Sequence, residues 1–89
     1  MNEFDWDVEK NLLLEKTRGV GFEDVVFHIH NGDVLDVIRH PDKRRYPNQN
    51  IIILNMDDYV YLVPYVKKKG IRILKTIIPS RKATREYLP

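Results

Sequence analysis

The hydrophobic pattern of the chain changes its period near Gly32, and this change restricts the fold more than any other feature. Before Gly32, apolar residues recur three and four positions apart, as on one face of an amphipathic helix: Phe22, Val25, Val26 and Ile29. After Gly32, apolar residues alternate with polar ones or form short β-branched runs between turn residues, which is typical of strands. Helices followed by a series of strands predict an α+β fold with an antiparallel sheet.

Three helices are predicted, at residues 8–17, 22–31 and 80–87. Asp7 precedes the first helix and Ser80 begins the last, and both are residue types whose side chains accept hydrogen bonds from free N–H groups at a helix start. Gly19 breaks the first helix. Gly32 is suited to the left-handed conformation that ends the second helix.

Four strands are predicted, at residues 34–39, 51–56, 59–66 and 71–78, and residues 3–6 are compatible with a short fifth strand. The connections are a long polar hairpin loop at 40–49, a turn at Asp57-Asp58 and a hairpin turn at 67–70. Pro79 is expected to end the last strand because it has no N–H to donate to a neighbour. We expect the helices to pack on one face of this sheet, so that the other face is free to bind a partner.

The length and composition of the chain are those of one small domain spanning residues 1–89. The sequence contains no cysteine, so neither disulfides nor thiolate metal sites are expected. The first residues are acidic rather than basic and then apolar, unlike a signal peptide. No apolar run approaches the roughly 18 residues of a membrane span. A cytoplasmic protein without a membrane partner is therefore the expectation.

Charge is distributed unevenly along the chain. Residues 1–36 contain nine acidic and three basic side chains, a net charge of −6, whereas residues 37–89 contain four acidic and twelve basic ones, a net charge of +8. This asymmetry predicts a basic surface that faces nucleic acid or another polyanion. The alternative is that the two halves pair with each other in the fold.

Side-chain alternation assigns the aromatic and cationic residues of the last two strands to faces. Tyr59, Tyr61 and Tyr65 share one side of their strand, where they either stack on bases or simply cover a sheet face. In the last strand Lys75 shares its side with Ile73 and Ile77. Lys75 therefore belongs to a binding site only if that side is not the buried one.

His40 is the histidine of greatest interest because it ends a strand and lies beside Lys43, Arg44 and Arg45. Neighbouring cations disfavour the protonated imidazole, which suits a general base; the alternative is an exposed loop histidine. The chain has no glycine-rich phosphate loop and no acid cluster suited to two metals. Phosphodiester cleavage without a metal or cofactor needs only a base, a cation and an acid, which His, Tyr, Lys and Arg can supply.

Three segments resemble the BrnT-like toxins. They are Phe4-Asp5-Trp6-Asp7-Val8-Glu9-Lys10-Asn11, Arg18-Gly19-Val20-Gly21-Phe22-Glu23-Asp24 and Ile77-Ile78-Pro79-Ser80-Arg81-Lys82-Ala83-Thr84-Arg85-Glu86-Tyr87. They come in the family's order and bracket nearly the whole chain. The chain departs from the family pattern at Thr17-Arg18, where the family has Lys-His, and in the hairpin that follows His40.

This resemblance implies a RelE-like fold and a ribonuclease toxin of a type II toxin–antitoxin system. It also implies a ribbon-helix-helix antitoxin as partner, with operator DNA bound only through the antitoxin. Lys10, Arg18 and Arg81 occupy the matching polar positions, and Arg81 would be the cation that binds phosphate.

The first hypothesis is therefore an RNA-cleaving toxin that leaves a 2′,3′-cyclic phosphate. Its candidate catalytic residues are His40, Tyr65, Lys75 and Arg81, with His40 or Tyr65 as base or acid and the two cations on the phosphate. Its candidate RNA-binding residues are Lys10, Arg18, Arg45, Tyr46, Lys82 and Arg85. The second hypothesis is a non-catalytic RNA-binding or partner-binding module with the same fold, and the third is a structural subunit of a homo-oligomer.

Overall fold

The computed structural model describes residues 3–89, which fold as an α+β domain of three helices and one mixed sheet. The helices are α1 (Val8–Arg18), α2 (Phe22–His30) and α3 (Arg81–Tyr87). The strands are β1 (Phe4–Asp5), β2 (Val34–Arg39), β3 (Gln49–Met56), β4 (Tyr59–Lys68), β5 (Ile71–Leu74) and β6 (Ile78–Pro79). No helix in this range is long and apolar enough to span a membrane.

The helix boundaries follow from the capping residues that the sequence indicated. The Asp7 carboxylate accepts a hydrogen bond from the Glu9 N–H at 2.8 Å, which starts α1. Gly19 ends α1 in the left-handed conformation, with φ of 71°. The Ser80 hydroxyl accepts a hydrogen bond from the Ala83 N–H at 3.0 Å, which starts α3. The predicted caps are confirmed at both helix starts.

The strands are ordered β1-β5-β4-β3-β2 across the sheet. Strands β2 to β5 form the predicted antiparallel series, whereas β1 lies parallel to β5 and brings Phe4 beside Arg72. Two of the connections are two-residue turns, Asp57-Asp58 and Lys69-Gly70, in which every residue has a positive φ. Such turns match the right-handed twist of the strands that they join.

The last predicted strand is interrupted. Strand β5 stops at Leu74, and β6 pairs with β4 beside Tyr61 and Leu62, so a continuous strand over residues 71–78 is wrong. Leu74 and Ile77 are both buried in the same core, although an odd separation would place them on opposite faces of a regular strand. Burying both side chains requires the irregular backbone at residues 75–77.

Helices pack on both faces of the sheet, so the expectation of a single covered face is wrong. The face packed by α1 and α2, called the first face, carries Ile52 and Leu54. The opposite or second face carries Ile51 and Ile53, which pack with Ala83 of α3. The cause is the uninterrupted apolar run in β3, which places large side chains on both faces and requires cover on each.

Asn11 fixes α2 against α1. Its buried side chain donates to the Glu23 carboxylate at 2.8 Å and accepts the Phe22 N–H at 2.7 Å. The chain approaches so closely here that a Cβ on Gly21 would lie 2.9 Å from the Asn11 Oδ1. The two helices therefore cover the first face as one unit.

Candidate nucleic-acid interface

The two ends of the first face differ in composition. The end at the Asp57-Asp58 turn, called the turn end, has Leu54 and Met56 buried against Phe22 and Val25 of α2. The opposite end consists of the hairpin loop at residues 40–48 and four cations, and is called the basic end. These four cations are Arg39, Lys67, Lys69 and Arg72.

Strand register places three of these cations on the first face. Arg39 lies opposite Asn50, and Asn50 in turn lies opposite Tyr65, which packs in the core of the first face. Directly opposed residues project from the same face, and so do residues two apart on one strand. Lys67 is two residues beyond Tyr65 and lies opposite Arg72. Arg39, Lys67 and Arg72 therefore form a row across β2, β4 and β5.

Two adjoining hollows follow this row. The larger is an open groove of about 700 Å³ lined by Glu3, Tyr65, Lys67, Lys69, Gly70, Ile71 and Arg72. The smaller, of about 350 Å³, is lined by Arg39, Pro47, Asn48, Gln49, Asn50 and Lys67. Lys67 lines both hollows, so they adjoin at this side chain, and together they are called the track.

Arg72 is held in place by β1. Its guanidinium carbon lies 4.4 Å from the centroid of the Phe4 ring. Its backbone N–H donates to the Glu3 carbonyl at 3.1 Å. A guanidinium stacked on an aromatic face keeps its N–H groups available for a planar or tetrahedral anion. The groove thus contains an oriented cation rather than a freely moving one.

The hairpin loop adds an aromatic stack to the basic end. The ring centroids of His40 and Tyr46 are 4.4 Å apart, and the Arg45 guanidinium carbon lies 5.9 Å from the Tyr46 centroid. Asp42 shapes the loop, since its carboxylate accepts the Arg45 N–H at 3.1 Å. Aromatic and guanidinium planes of this kind stack on unpaired bases.

The hydrogen bonds of His40 bear on its chemical role. Its Nδ1 accepts the Asp42 backbone N–H at 3.1 Å. A nitrogen that accepts a hydrogen bond carries no proton, so the neutral ring carries its proton on Nε2. In this conformation His40 is set up to donate a hydrogen bond from Nε2 rather than to accept a proton there.

The four candidate catalytic residues are not brought together. Tyr65 and His40 lie at the basic end, where Tyr65 lines the larger groove although it is only 8% exposed. The His40 N–H bonds Gln49, which pairs with Val66, whereas the Ser80 N–H bonds Val60. Six strand residues separate these two levels of β4, a distance of about 20 Å. Arg81, next to Ser80, is therefore remote from His40.

Lys75 also lies away from Tyr65. Its N–H donates to the Pro64 carbonyl at 2.8 Å, and it directly follows Leu74, which is buried on the first face. Consecutive residues of an extended chain point to opposite faces, so the exposed Lys75 side chain points to the second face. A regular strand would place Lys75 on the same side as Ile77, but the irregular backbone at residues 75–77 uncouples the two.

The other candidate RNA-binding residues are dispersed. Arg45 and Tyr46 lie at the basic end. Lys82 and Arg85 belong to α3, which covers the second face, and Lys82 and Arg85 are not part of the core. Lys10 is half-buried in the first turn of α1, and the Arg18 side chain donates to the Ile77 carbonyl. Arg18 thus ties the end of α1 to the irregular segment before α3.

The acidic and basic halves do not form salt bridges with each other within residues 3–89. The ion pairs in this range are His28–Asp33 at 2.7 Å and His30–Glu3 at 2.9 Å, and both lie within the acidic half. The His28 hydrogen bond, assisted by Asn31, lowers the pKa of Asp33. Partial burial, assisted by the charge of Asp36, raises the pKa of Tyr87. The cations of the basic end thus make no salt bridge within residues 3–89, although Glu3 lines the same groove.

Arg39, Lys67 and Arg72 are absent from the set of residues predicted from the sequence, although a signal for them exists. The sequence pattern predicts a turn over the whole of residues 67–70, whereas β4 continues to Lys68 and the turn is Lys69-Gly70. A two-residue turn at Lys69-Gly70 pairs Lys67 with Arg72, which puts both on the Tyr65 side. The Lys-Gly turn is therefore the signal that identifies Lys67 and Arg72, whereas the place of Arg39 depends on the pairing of β2 with β3.

Within residues 3–89, no group of three or more His, Asp or Glu side chains is arranged to hold a metal ion. Comparisons with protein-family models, with curated proteins and with solved structures find no match to this chain.

Proposed function

We propose that this chain binds single-stranded RNA along the basic end and cleaves it without a metal ion, as the toxin of a toxin–antitoxin pair. The RNA backbone would follow the track past Arg39, Lys67 and Arg72, and unpaired bases would stack on the hairpin loop. Cleavage would leave a 2′,3′-cyclic phosphate and a 5′-hydroxyl. The assignment to toxins rests on the resemblance of three sequence segments to the BrnT-like family.

The observation that carries the proposal is the row of cations on one open end of the sheet. Arg39, Lys67 and Arg72 share a face, line the two adjoining hollows of the track and make no salt bridge to a described residue. Like charges placed side by side repel one another, and an anion between them relieves the repulsion. A chain of phosphates is the polyanion whose spacing and flexibility suit such a track.

The aromatic residues of the hairpin loop favour RNA over other polyanions. His40, Tyr46 and Arg45 form a cluster of two tilted rings and a guanidinium in the hairpin loop. Stacking on a protein ring requires a base that is not already stacked in a duplex, so single strands, loops and ends are favoured over double helices. We therefore expect weaker binding to double-stranded RNA of the same sequence.

The test is an RNA cleavage assay in excess EDTA with purified protein and an end-labelled single-stranded RNA. We expect cleavage with EDTA present, and products that end in a 2′,3′-cyclic phosphate. Loss of cleavage in EDTA, restored by a divalent cation, would overturn the metal-free mechanism. Uncleaved RNA across the pH range in which the protein is folded would overturn the proposal of a ribonuclease.

The toxin assignment has a separate test. Induced expression in bacteria should arrest growth, and co-expression of a neighbouring gene for a ribbon-helix-helix protein should restore it. A protein that cleaves RNA in vitro but leaves growth unaffected at comparable expression would be a ribonuclease without the toxin role. Operator DNA should bind the complex with that partner and not the chain alone.

The second candidate function is a non-catalytic RNA-binding module. It is favoured by the distance of about 20 Å along β4 between the levels of His40 and Arg81, since a cation that far from the base cannot act on the same phosphate. A pure binding module would show salt-dependent affinity, with a log–log slope of about −0.7 for each phosphate contacted on a single strand. It would also leave RNA intact at every pH.

A further inference from the structure

The larger groove at the basic end contains chemical groups that do not belong to the candidate catalytic set. Beside the cations Lys67 and Arg72 it is lined by the Tyr65 phenol and by the carboxylate of Glu3. We propose that this groove is the catalytic centre for RNA cleavage, with Glu3 as the base, Tyr65 as the acid, and Arg72 and Lys67 on the phosphate. This inference rests on the proposed ribonuclease function and names the residues that carry out the cleavage.

Backbone pairing brings Glu3 and Arg72 together. The Arg72 N–H donates to the Glu3 carbonyl at 3.1 Å, and the next residue, Phe4, supports the Arg72 guanidinium. Lys67 is the direct cross-strand partner of Arg72. Two neighbouring strands thus present Lys67 and Arg72 to the open groove, and Glu3, the residue before β1, is joined to β5 by its backbone hydrogen bond.

The Glu3 carboxylate is held by a second residue. Its Oε2 lies 2.9 Å from the His30 Nε2, which leaves the other oxygen to face a substrate. Both side chains are more than half exposed, so RNA can reach the carboxylate. An ionised carboxylate with one oxygen bound and one available is suited to accept a proton from the ribose 2′-hydroxyl. His30 acts through Glu3 as a positioning residue.

Tyr65 supplies the proton for the leaving group. Its ring packs in the core of the first face, which fixes its direction, while the residue still lines the groove. A phenol is a stronger acid than the alcohol whose oxygen leaves, so it can protonate that oxygen as the bond to phosphorus breaks. A buried ring with an accessible edge gives this group a defined position at the groove floor.

In the cleavage step these four groups and solvent account for every proton that is transferred. Glu3 takes the 2′-hydroxyl proton, the 2′-oxygen bonds to phosphorus, the bond from phosphorus to the 5′-oxygen breaks, and Tyr65 gives its proton to that oxygen. Arg72 and Lys67 stabilise the additional negative charge on the phosphorane. The products are a 2′,3′-cyclic phosphate and a 5′-hydroxyl, and solvent returns the proton from Glu3 to Tyr65.

The experiment measures two quantities for each variant: the single-turnover rate of RNA cleavage in EDTA, and the affinity for a 2′-O-methyl RNA of the same sequence, which cannot be cleaved. Glu3→Gln and Tyr65→Phe should each lower the rate by about 10²- to 10⁴-fold, the usual range for acid and base groups, with affinity changed less than about threefold. Arg72→Gln should lower the rate by about 10²- to 10³-fold and weaken binding as well.

Matched controls separate chemistry from folding. Glu86→Gln and Tyr87→Phe change the same residue types outside the groove, and Lys16→Gln removes a positive charge outside it. All three should leave the rate unchanged. His30→Ala should slow cleavage, and His30→Gln, whose amide can still donate to Glu3, should restore most of the rate. Thermal melting of each variant identifies any that fail to fold.

The outcomes distinguish this inference from the ribonuclease proposal. If the wild-type protein cleaves RNA while Glu3→Gln and folded Tyr65→Phe cleave equally fast, the groove is not the catalytic centre although the ribonuclease stands. Loss of cleavage in Arg81→Gln alone would show that the catalytic centre lies at α3 and not in the groove. If the wild-type protein cleaves nothing, the ribonuclease proposal and this inference fall together.

Discussion

The two ends of the first face are built from the same strands but differ in packing and in charge. At the turn end, β3 and β4 place Leu54 and Met56 beneath Phe22 of α2. At the basic end, the same strands place Asn50 and Lys67 on that face, where both line an open hollow. The turn end is therefore covered by α2, whereas the basic end carries the two open hollows.

This difference explains how a small domain can carry a row of like charges. Repulsion among Arg39, Lys67 and Arg72 opposes folding, and it must be offset by apolar burial elsewhere. That burial is concentrated at the turn end, where Phe22, Val25 and Leu54 are inaccessible to solvent. The turn end thus contributes stability that offsets the repulsion among the cations of the basic end.

The largest expected effect is a loss of stability on substitution at the turn end. Phe22→Ala should lower the free energy of unfolding by about 3 to 5 kcal/mol, because Phe22 is completely buried and its removal leaves a cavity. Phe27→Ala is the matched control on the same helix, since Phe27 is 64% exposed and should cost well under about 1 kcal/mol. Urea unfolding measures both. Equal losses for the two variants would show that the turn end is not the centre of stability.

The next effect is expected at the basic end and should appear in binding rather than in stability. The double variant Arg39→Gln, Lys67→Gln should reduce the salt dependence of single-stranded RNA binding by about 1.4 in log–log slope, about 0.7 for each phosphate that the variant no longer neutralises. The matched control is Lys82→Gln, Arg85→Gln on α3, which should leave the slope unchanged. Fluorescence anisotropy over a range of salt concentrations tests the pair. An effect confined to the α3 variant would place RNA on the second face.

The smallest effect concerns Asp33, close to the turn end. Its pKa is lowered first by the hydrogen bond from His28 and then by that from Asn31. A carboxyl with a lowered folded pKa stabilises the protein above its unfolded pKa of about 3.9, and this contribution is lost as pH falls through the folded value. Asp33→Asn should therefore be slightly less stable than wild type at pH 7, with the difference shrinking below about pH 4.

Urea midpoints at several pH values between neutrality and acid measure this effect. Asp58→Asn is the control, because it makes the same substitution in an exposed turn. A difference for Asp33→Asn that stayed constant down to acid pH would mean that the hydrogen bond from His28 does not stabilise the fold.

Local signals in the sequence located most elements and the antiparallel pairing of the successive strands β2 to β5, but not the pairing of β1. Strand β2 has the predicted bounds, and α1 and α2 each differ by one residue, because their starts and stops depend on neighbours such as Asp7 and Gly19. A short strand at β1 is compatible with the sequence, but its parallel pairing with β5 joins residues some 68 positions apart and leaves no local mark. Glu3 and Arg72 share the groove only because of that pairing.

The sequence predicted a basic surface but not all of the residues that form it. The charge asymmetry indicated a basic surface, and Tyr65, His40, Arg45 and Tyr46 do lie at the basic end. Lys75 and Arg81 do not. Lys75 directly follows Leu74, whose burial on the first face turns Lys75 to the second face, and Arg81 begins α3, which packs on the second face.

By itself, the sequence determined the helix caps, the order of helices and strands, and the concentration of positive charge in the second half. These properties depend on residues close together in the chain, where hydrogen bonds and side-chain alternation act directly. Only the tertiary structure decided which cations share a face, that both faces of β3 need a helix, and that Glu3 lies beside Arg72. Those outcomes depend on burying every large apolar side chain at once, which is a condition on the whole fold and not on any segment of it.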